Sequence, residues 1–256
     1  MNTPKTLAAA AFEAWAVPHE EIPTGTEEES DWLVTLEGGY RVLAEEKTKF
    51  EDPEDQAKRQ ATLDADGIHG QTIALSSNNR LSGIVRKSSS QLASSSKNVD
   101  HDARILWFTG TGYDAEAKHY QLISTLYGST KVFERTGRVL RTCYFFRNAD
   151  FYRFKEQLDG AVVAFLTGDT ITMKLCLNPY SPRYETVRQS SLVGKFPNGL
   201  IDPLDDERAG HAYVADVDLP RSDTNAVLRH LEAKYDLHDL NFMDMNLATV
   251  AVQIKR

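Results

Sequence analysis

The chain has 256 residues, of which 41% are apolar, 9% aromatic and 26% charged, with a formal charge of -8. This composition excludes a disordered chain, a collagen and a small disulfide-stapled domain. No apolar run approaches the roughly 18 residues needed to cross a bilayer, so we expect a soluble protein. The 2 cysteines lack zinc-site spacing, which favours a reducing cytoplasmic compartment.

The basic residues concentrate in the middle of the chain. Residues 67–155 carry 13 basic and 6 acidic side chains, whereas the segments on either side are acidic. If folding gathers these cations on one surface, that surface would attract phosphates despite the negative total, while the alternative is a set of solvated helix faces. The candidate cations are Arg80, Arg86, Lys87, Lys97, Lys131, Arg135, Arg138, Arg141 and Arg147.

The first third of the chain predicts a helix followed by a β-hairpin. Residues 7–16 are alanine-rich and follow Thr3-Pro4, a cap and a first-turn proline. Residues 31–36 and 40–47 are β-type runs joined by Glu37-Gly38-Gly39, a turn signal because glycine tolerates positive φ. We expect an exposed loop with a short helix next, over residues 50–66.

The middle of the chain predicts alternating helices and strands. Residues 80–96 have helical spacing, with serines on the polar face or fraying the end. Residues 104–109, 114–127 and 131–134 form a strand, helix and strand unit, typical of a sheet covered on both faces.

The remaining predicted elements complete a mixed pattern. They are strands over 139–146, 160–166, 171–177, 212–217 and 247–254, and helices over 151–158 and 224–235. We predict an α/β fold: a first domain over residues 1–147 and an α+β extension over residues 148–256. One continuous domain is the alternative, because no linker composition marks residue 148.

The second hairpin strand contains side chains that a buried sheet does not normally hold. It alternates Ala44 and Glu46 on one side with Glu45 and Lys47 on the other, and Asp31 begins the preceding strand. Neighbouring carboxylates are costly unless a cation neutralises them. Mg²⁺ needs only one or two protein carboxylates, together with water and a substrate phosphate oxygen.

Helical Glu13, Ser30-Asp31, a Gly-Gly turn and Glu45-Glu46-Lys47 together resemble the PD-(D/E)xK phosphodiesterase superfamily. The resemblance covers about residues 5–135 and implies a restriction-endonuclease-like mixed sheet flanked by helices. It implies that Asp31 and Glu45 bind Mg²⁺ or Mn²⁺, that Lys47 positions the attacking water, and that Glu13 supports the site. It also implies that Arg86, Lys87 and Gln91 contact substrate.

The resemblance implies a nuclease of DNA, favoured over RNA, used in restriction or anti-phage defence, with a homodimer or a larger defence complex as possible assemblies. Ser30 replaces the proline of the family name. The strand faces require a three-residue loop or a bulge if Asp31 is to pair with Glu45 and Lys47. Glu46 with Lys49 is the alternative site, and a non-enzymatic nucleic-acid- or protein-binding module is the alternative function.

Two other motifs favour structural roles. Gly110-Thr111-Gly112 lacks the third glycine of a dinucleotide fingerprint and the lysine of a P-loop, so we interpret it as a turn into a helix. Asp100-His101-Asp102 has no second histidine nearby, and we interpret it as a polar loop.

Overall fold

Helices cover both faces of a mixed seven-stranded sheet in the computed structural model. The structure describes residues 6–23, 30–65, 68–135, 137, 139–168 and 170–243, and the backbone of 249–254. Its helices are α1 (Leu7–Ala14), α2 (Pro53–Asp64), α3 (Asn79–Ser95), α4 (Ala115–Tyr127), α5 (Asp150–Arg153), α6 (Tyr184–Arg188), α7 (Pro203–Arg208) and α8 (Thr224–Tyr235). None of them is long and apolar enough to cross a membrane.

The strands are β1 (His19–Glu21), β2 (Trp32–Thr35), β3 (Arg41–Lys49), β4 (Ile68–Ile73), β5 (Ala103–Gly110), β6 (Thr130–Glu134), β7 (Leu140–Tyr144), β8 (Gly160–Thr167), β9 (Thr170–Leu177), β10 (Leu200–Ile201), β11 (Ala212–Val214), β12 (Leu240–Met243) and β13 (Thr249–Ile254). The main sheet has the order β1-β2-β3-β5-β8-β9-β10. Its first three strands form an antiparallel meander, and β3, β5 and β8 run parallel. The α/β prediction is confirmed at this level.

The two faces of the main sheet bury different helices. Helix α1 packs through Phe12 against Ala44 and Trp107 on one face. Helices α3 and α4 pack against Leu43 and Leu106 on the other face. Strand β5 is buried along its whole length because it lies between these two layers.

The β2–β3 hairpin has the loop length that the site prediction requires. Trp32 pairs with Ala44 and Thr35 pairs with Arg41, and the Leu36 N–H donates to the Tyr40 carbonyl at 2.8 Å. The loop is therefore the three residues Glu37–Gly39, in which both glycines adopt positive φ (77° and 78°). This register brings Asp31 opposite Glu45, and the predicted three-residue loop is confirmed.

A second sheet, with the order β11-β7-β6-β12, packs against α8. Its core includes Phe146, Val227 and Leu231. The predicted strand, helix and strand unit is wrong in its last member, because the strand after α4 joins this second sheet and β5 pairs with β3 and β8 instead. Strands β4 and β13 form a separate antiparallel pair.

The sheets do not divide at residue 147. Strands β8, β9 and β10 come from the predicted extension yet belong to the main sheet, and β6 and β7 precede residue 147 yet belong to the second sheet. Long-range strand pairing, which no local sequence signal encodes, places them there. Both predicted parts of the chain therefore contribute strands to each of these two sheets. Both cysteines, Cys143 and Cys176, are buried free thiols.

Candidate functional site

Strands β2 and β3 bring Asp31, Glu45 and Lys47 to one face of the sheet. Asp31 immediately precedes β2, and the hairpin register sets it across from Glu45. Successive residues of a strand point to opposite faces, so Glu45 and Lys47 share the face that Leu43 presents to α3 and α4. The structure therefore assembles three of the four residues that the resemblance implies are catalytic.

Hydrogen bonds hold these three side chains together. The backbone N–H of Glu46 donates to Asp31 Oδ2 at 2.7 Å. Lys47 Nζ donates to Glu45 Oε1 in an ion pair. The Glu45 side chain has 0% of its surface exposed, whereas the Lys47 side chain is 27% exposed, so the site opens to solvent on the lysine side.

The environment of Glu45 favours its protonated form. The pKa of Glu45 is raised to about 7, chiefly by burial and also by the negative charge of Asp31, while the hydrogen bond from Lys47 lowers it. Glu45 Oε2 is buried and has no hydrogen-bond partner. A cation next to this oxygen would satisfy it and would favour the ionised carboxylate.

Glu46 has a different role from its neighbour. Its Oε1 accepts a hydrogen bond from the Ala8 N–H at 3.2 Å, and its Oε2 accepts one from Trp32 Nε1 at 3.0 Å. Glu46 thus faces α1 and binds the first turn of that helix. Lys49, three residues later on the same strand, faces the other way. The alternative pair of Glu46 with Lys49 is therefore split across the sheet.

Glu13 does not join the site. It is exposed in the last turn of α1, the helix whose Phe12 ring lies 5.1 Å from the Trp107 ring on the Glu46 side of the sheet. The sheet itself separates this helix from Glu45. The implied supporting role of Glu13 therefore has no geometric basis, because α1 packs on the face opposite the carboxylate pair.

Helix α3 supplies the polar layer above the site. Gln91 is buried at 8% exposure, whereas Arg86 and Lys87 are exposed. Ser95 Oγ accepts a hydrogen bond at 2.7 Å from the backbone N–H of Ser30, the residue before Asp31. The helix thereby ties the start of the site strand to the layer that covers it.

The burial of the α3 serines differs from the prediction. The prediction that these serines form the polar face or fray the end is wrong for three of them, because Ser88, Ser89 and Ser95 are each no more than 1% exposed. Small side chains let a helix approach a sheet closely. The serine periodicity, with buried Ser88 and Ser95 seven residues apart, was the available signal.

The donor set fits a hard divalent cation. Asp31 and Glu45 offer carboxylate oxygens, the ligand type that Mg²⁺ prefers, and Mg²⁺ is commonly held by one or two carboxylates with substrate phosphates. Within the part of the chain that the structure describes, no group of three or more His, Cys, Asp or Glu side chains could hold a metal ion. A cation here would therefore depend on two protein carboxylates.

The structure explains the two minor motifs without ligands. A Cβ at Gly110 would lie 2.9 Å from the Ala115 carbonyl oxygen, so close approach to the start of α4 accounts for that glycine. Asp102 Oδ2 accepts a hydrogen bond from the Arg41 N–H at 2.7 Å, and Asp100 pairs with the Arg41 guanidinium at 3.0 Å. Both motifs therefore fit the structural roles that the sequence favoured.

The candidate cations of the middle segment occupy two regions. Arg80, Arg86, Lys87 and Lys97 are exposed on or just after α3. Lys131, Arg135, Arg141 and Arg147 lie on or beside the second sheet. Arg138 lies outside the described residues.

No protein-family model, no curated protein and no solved structure matches the chain. The geometry of the site is therefore the basis on which a function can be argued.

Proposed function

We propose that the chain is a metal-dependent phosphodiesterase that cleaves nucleic acid, with DNA favoured over RNA. The observation that supports this most directly is the convergence of Asp31, Glu45 and Lys47 on one sheet face, with a buried Glu45 oxygen that has no protein partner. The order of elements also supports it: a helix, a meander ending in the Glu-x-Lys strand, and a later parallel strand beside it. This is the layout that the PD-(D/E)xK resemblance implies.

Asp31 and Glu45 are the residues that would hold Mg²⁺ or Mn²⁺. The backbone N–H of Glu46 fixes Asp31 at 2.7 Å, so one ligand is already oriented. The cation would supply positive charge to offset the charge that develops on the phosphate during cleavage. The raised pKa of Glu45 agrees with this role, because a bound cation would displace the proton and favour the ionised carboxylate.

Lys47 is the residue that would orient the attacking water. Its ammonium group has three donors, of which one contacts Glu45 Oε1. Because Lys47 is partly exposed, a water or a phosphate oxygen can reach the ammonium from the solvent side. Arg86 and Lys87, exposed on α3, would contact the nucleic-acid backbone, and Gln91 would contact substrate from inside the polar layer.

The biological setting is inferred from the PD-(D/E)xK resemblance alone. Restriction or anti-phage defence is the setting that the resemblance implies, and a homodimer or a larger complex is the assembly that it would use.

The test is cleavage by the purified protein. Supercoiled plasmid, single-stranded DNA and RNA are incubated with Mg²⁺ or Mn²⁺, beside an EDTA control and the Lys47→Ala variant. We expect cleavage that requires metal and falls at least 100-fold in Lys47→Ala, since loss of a positioned catalytic group costs about that much. Lys49→Ala is the matched control from the same strand and should retain activity.

Glu46→Ala separates the two possible sites. It removes the acceptor of the Ala8 N–H and of Trp32 Nε1, so we expect a loss of about 1–3 kcal/mol in the free energy of unfolding. Activity per folded molecule should remain within a few-fold of wild type. A well-folded Glu46→Ala protein that cuts nothing, together with an inactive Lys49→Ala, would move the site to the alternative pair.

A non-enzymatic binding module makes a different prediction. Electrophoretic mobility shifts with the same nucleic acids should then persist unchanged in Glu45→Ala and Lys47→Ala, with no cleavage in any metal. That outcome would remove the catalytic assignment of Asp31, Glu45 and Lys47.

A further inference from the structure

A large cavity lies at the opposite end of α3 from the candidate site. The C-terminal turn of α3 contacts Ser30 beside the carboxylates, whereas Asn78, Asn79 and Ser82 at its start line the cavity. A helix of 17 residues is about 25 Å long, so the cavity is a separate place on the molecule. Its volume is about 910 Å³, within the range of small-molecule sites.

The cavity contains a buried carboxylate with an unused oxygen. Asp150 is 6% exposed, and its Oδ1 accepts a hydrogen bond from Ser82 Oγ at 3.0 Å. Its Oδ2 is buried and has no hydrogen-bond partner. Burial raises the pKa of Asp150, while Ser82 and Arg153 lower it. A ligand that offers an N–H donor would satisfy the unused oxygen, which is costly to leave alone.

Positive charge and an aromatic ring line the same cavity. Arg147, Arg153 and Arg221 line the cavity, and guanidinium is the side-chain group best matched to phosphate. Arg221 Nη2 donates to two backbone carbonyls, whereas its buried Nη1 has no hydrogen-bond partner. Tyr152 also lines the cavity, with 43% of its surface exposed. An exposed aromatic ring beside arginines suits a planar heterocycle attached to an anionic group.

The backbone beside the cavity is strained but firmly held. Phe145 lines the cavity and has a φ of 60°, which is rare for a bulky side chain. Its N–H donates to the Tyr127 carbonyl at 2.8 Å, and the Arg147 N–H donates to the Gly128 carbonyl at 2.8 Å. This turn directs the chain from β7 along the cavity wall. Such strain persists only where surrounding contacts enforce it.

We propose that this cavity binds a nucleotide. The arginines hold the phosphate, Asp150 accepts a hydrogen bond from a base N–H, and Tyr152 packs against the base. No chemistry is assigned to the site, and the proposal does not depend on the nuclease proposal, because the two sites share no residue.

The test is isothermal titration calorimetry of the full chain with GMP and AMP, in EDTA so that metal-dependent binding at the carboxylate pair is absent. We expect one saturable site that binds at least one of the nucleotides at least tenfold more tightly than guanosine, adenosine or inorganic phosphate. Equal affinity for inorganic phosphate would overturn the nucleotide assignment and leave a simple anion site. Absence of binding at millimolar nucleotide would overturn the site itself.

Substitutions of cavity residues test whether the nucleotide binds in this cavity. Asp150→Asn should weaken nucleotide binding about tenfold or more, because a charged acceptor is lost. Arg153→Ala, an exposed position that should not disturb folding, should weaken binding too, whereas Arg229→Ala on α8 is the matched control and should not. Binding unchanged in both cavity variants would refute the proposal. Glu45→Gln should leave the nucleotide affinity as it is, which keeps this outcome distinct from the fate of the nuclease.

Discussion

At the residue scale, Glu45 is a fully buried carboxylate with an incomplete set of hydrogen bonds. It has no exposed surface, it pairs with Lys47 through one oxygen, and the other oxygen has no partner. A carboxylate kept for stability alone would have both oxygens satisfied, because an orphaned buried acceptor is destabilising. Such an arrangement is typical of a functional site, where an unsatisfied buried group lowers the stability of the fold but can bind a ligand.

Glu45 should make the protein less stable as the pH rises. Its pKa is raised from 4.5 to about 7, so the folded state holds the proton more tightly than the unfolded state. The stabilisation is complete below about pH 4.5 and is lost as the pH rises through 7. The upper limit of this loss is about 3 kcal/mol. Glu45→Gln should therefore gain stability relative to wild type as the pH rises through this window.

Urea unfolding at a series of pH values measures this difference, with exposed Glu116→Gln as the matched control. Mg²⁺ should restore the stability of the wild type at high pH and have no such effect on Glu45→Gln. A constant difference between wild type and Glu45→Gln across the series would show that Glu45 does not titrate near neutrality.

At the scale of elements, the hairpin and α3 together create the site. The three-residue loop sets the register of β2 against β3, and α3 closes the layer above them through buried serines. The contact between Ser95 Oγ and the Ser30 N–H joins the two elements directly. Helix α3 thus positions the backbone that carries Asp31.

Ser95→Ala should destabilise the protein and disturb the site. It leaves the buried Ser30 N–H without its acceptor, which costs about 1–3 kcal/mol in the free energy of unfolding. Ser96→Ala is the matched control, because Ser96 Oγ donates only to the Leu92 carbonyl within its own helix. Chemical denaturation of both variants checks the difference, and equal stabilities would mean that the contact contributes nothing.

At the scale of the whole molecule, the two halves of the chain both contribute strands to the main sheet and to the second sheet. Strand β8 lies beside β5, and the Arg104 guanidinium at the start of β5 binds Asp159 at the start of β8, with 2.9 Å between Arg104 Nη2 and Asp159 Oδ1. Asp159 is fully buried. Asp159 also contacts Ser181 and Arg183 in its own half, whereas the hydrogen bonds of the Arg104 guanidinium all go to the second half of the chain.

Separate expression of residues 1–147 and 148–256 should therefore not yield two folded domains. The first fragment exposes the edge of β5 and leaves Arg104 unpaired, and the second lacks the strand on which β8 rests. Circular dichroism and heat denaturation of each fragment, beside the intact chain, test this. A cooperative transition in either fragment would indicate an independent domain and would support the boundary at residue 147.

Local signals were sufficient for many individual elements. Helix α8 has the predicted bounds, and Glu37-Gly38-Gly39 forms the turn predicted from its glycines, both of which adopt positive φ. Gly128 ends α4 in the left-handed conformation, as glycine allows. These features depend on capping, glycine conformation and side-chain alternation, which a stretch of a few residues specifies.

Only the tertiary structure decided which strands became neighbours and which faces were buried. The short strands β1, β10 and β12 have little local pattern and exist because the edge of a sheet was available for pairing. The packing of helices against the sheets determines three further features. They are the burial of the α3 serines, the separation of Glu13 from Glu45 and the cavity beside Asp150. The sequence alone determined the mixed α/β composition and the local elements, because those rest on short-range interactions. The sheet order and the site surroundings rest on contacts between residues far apart in the chain, which no local pattern specifies.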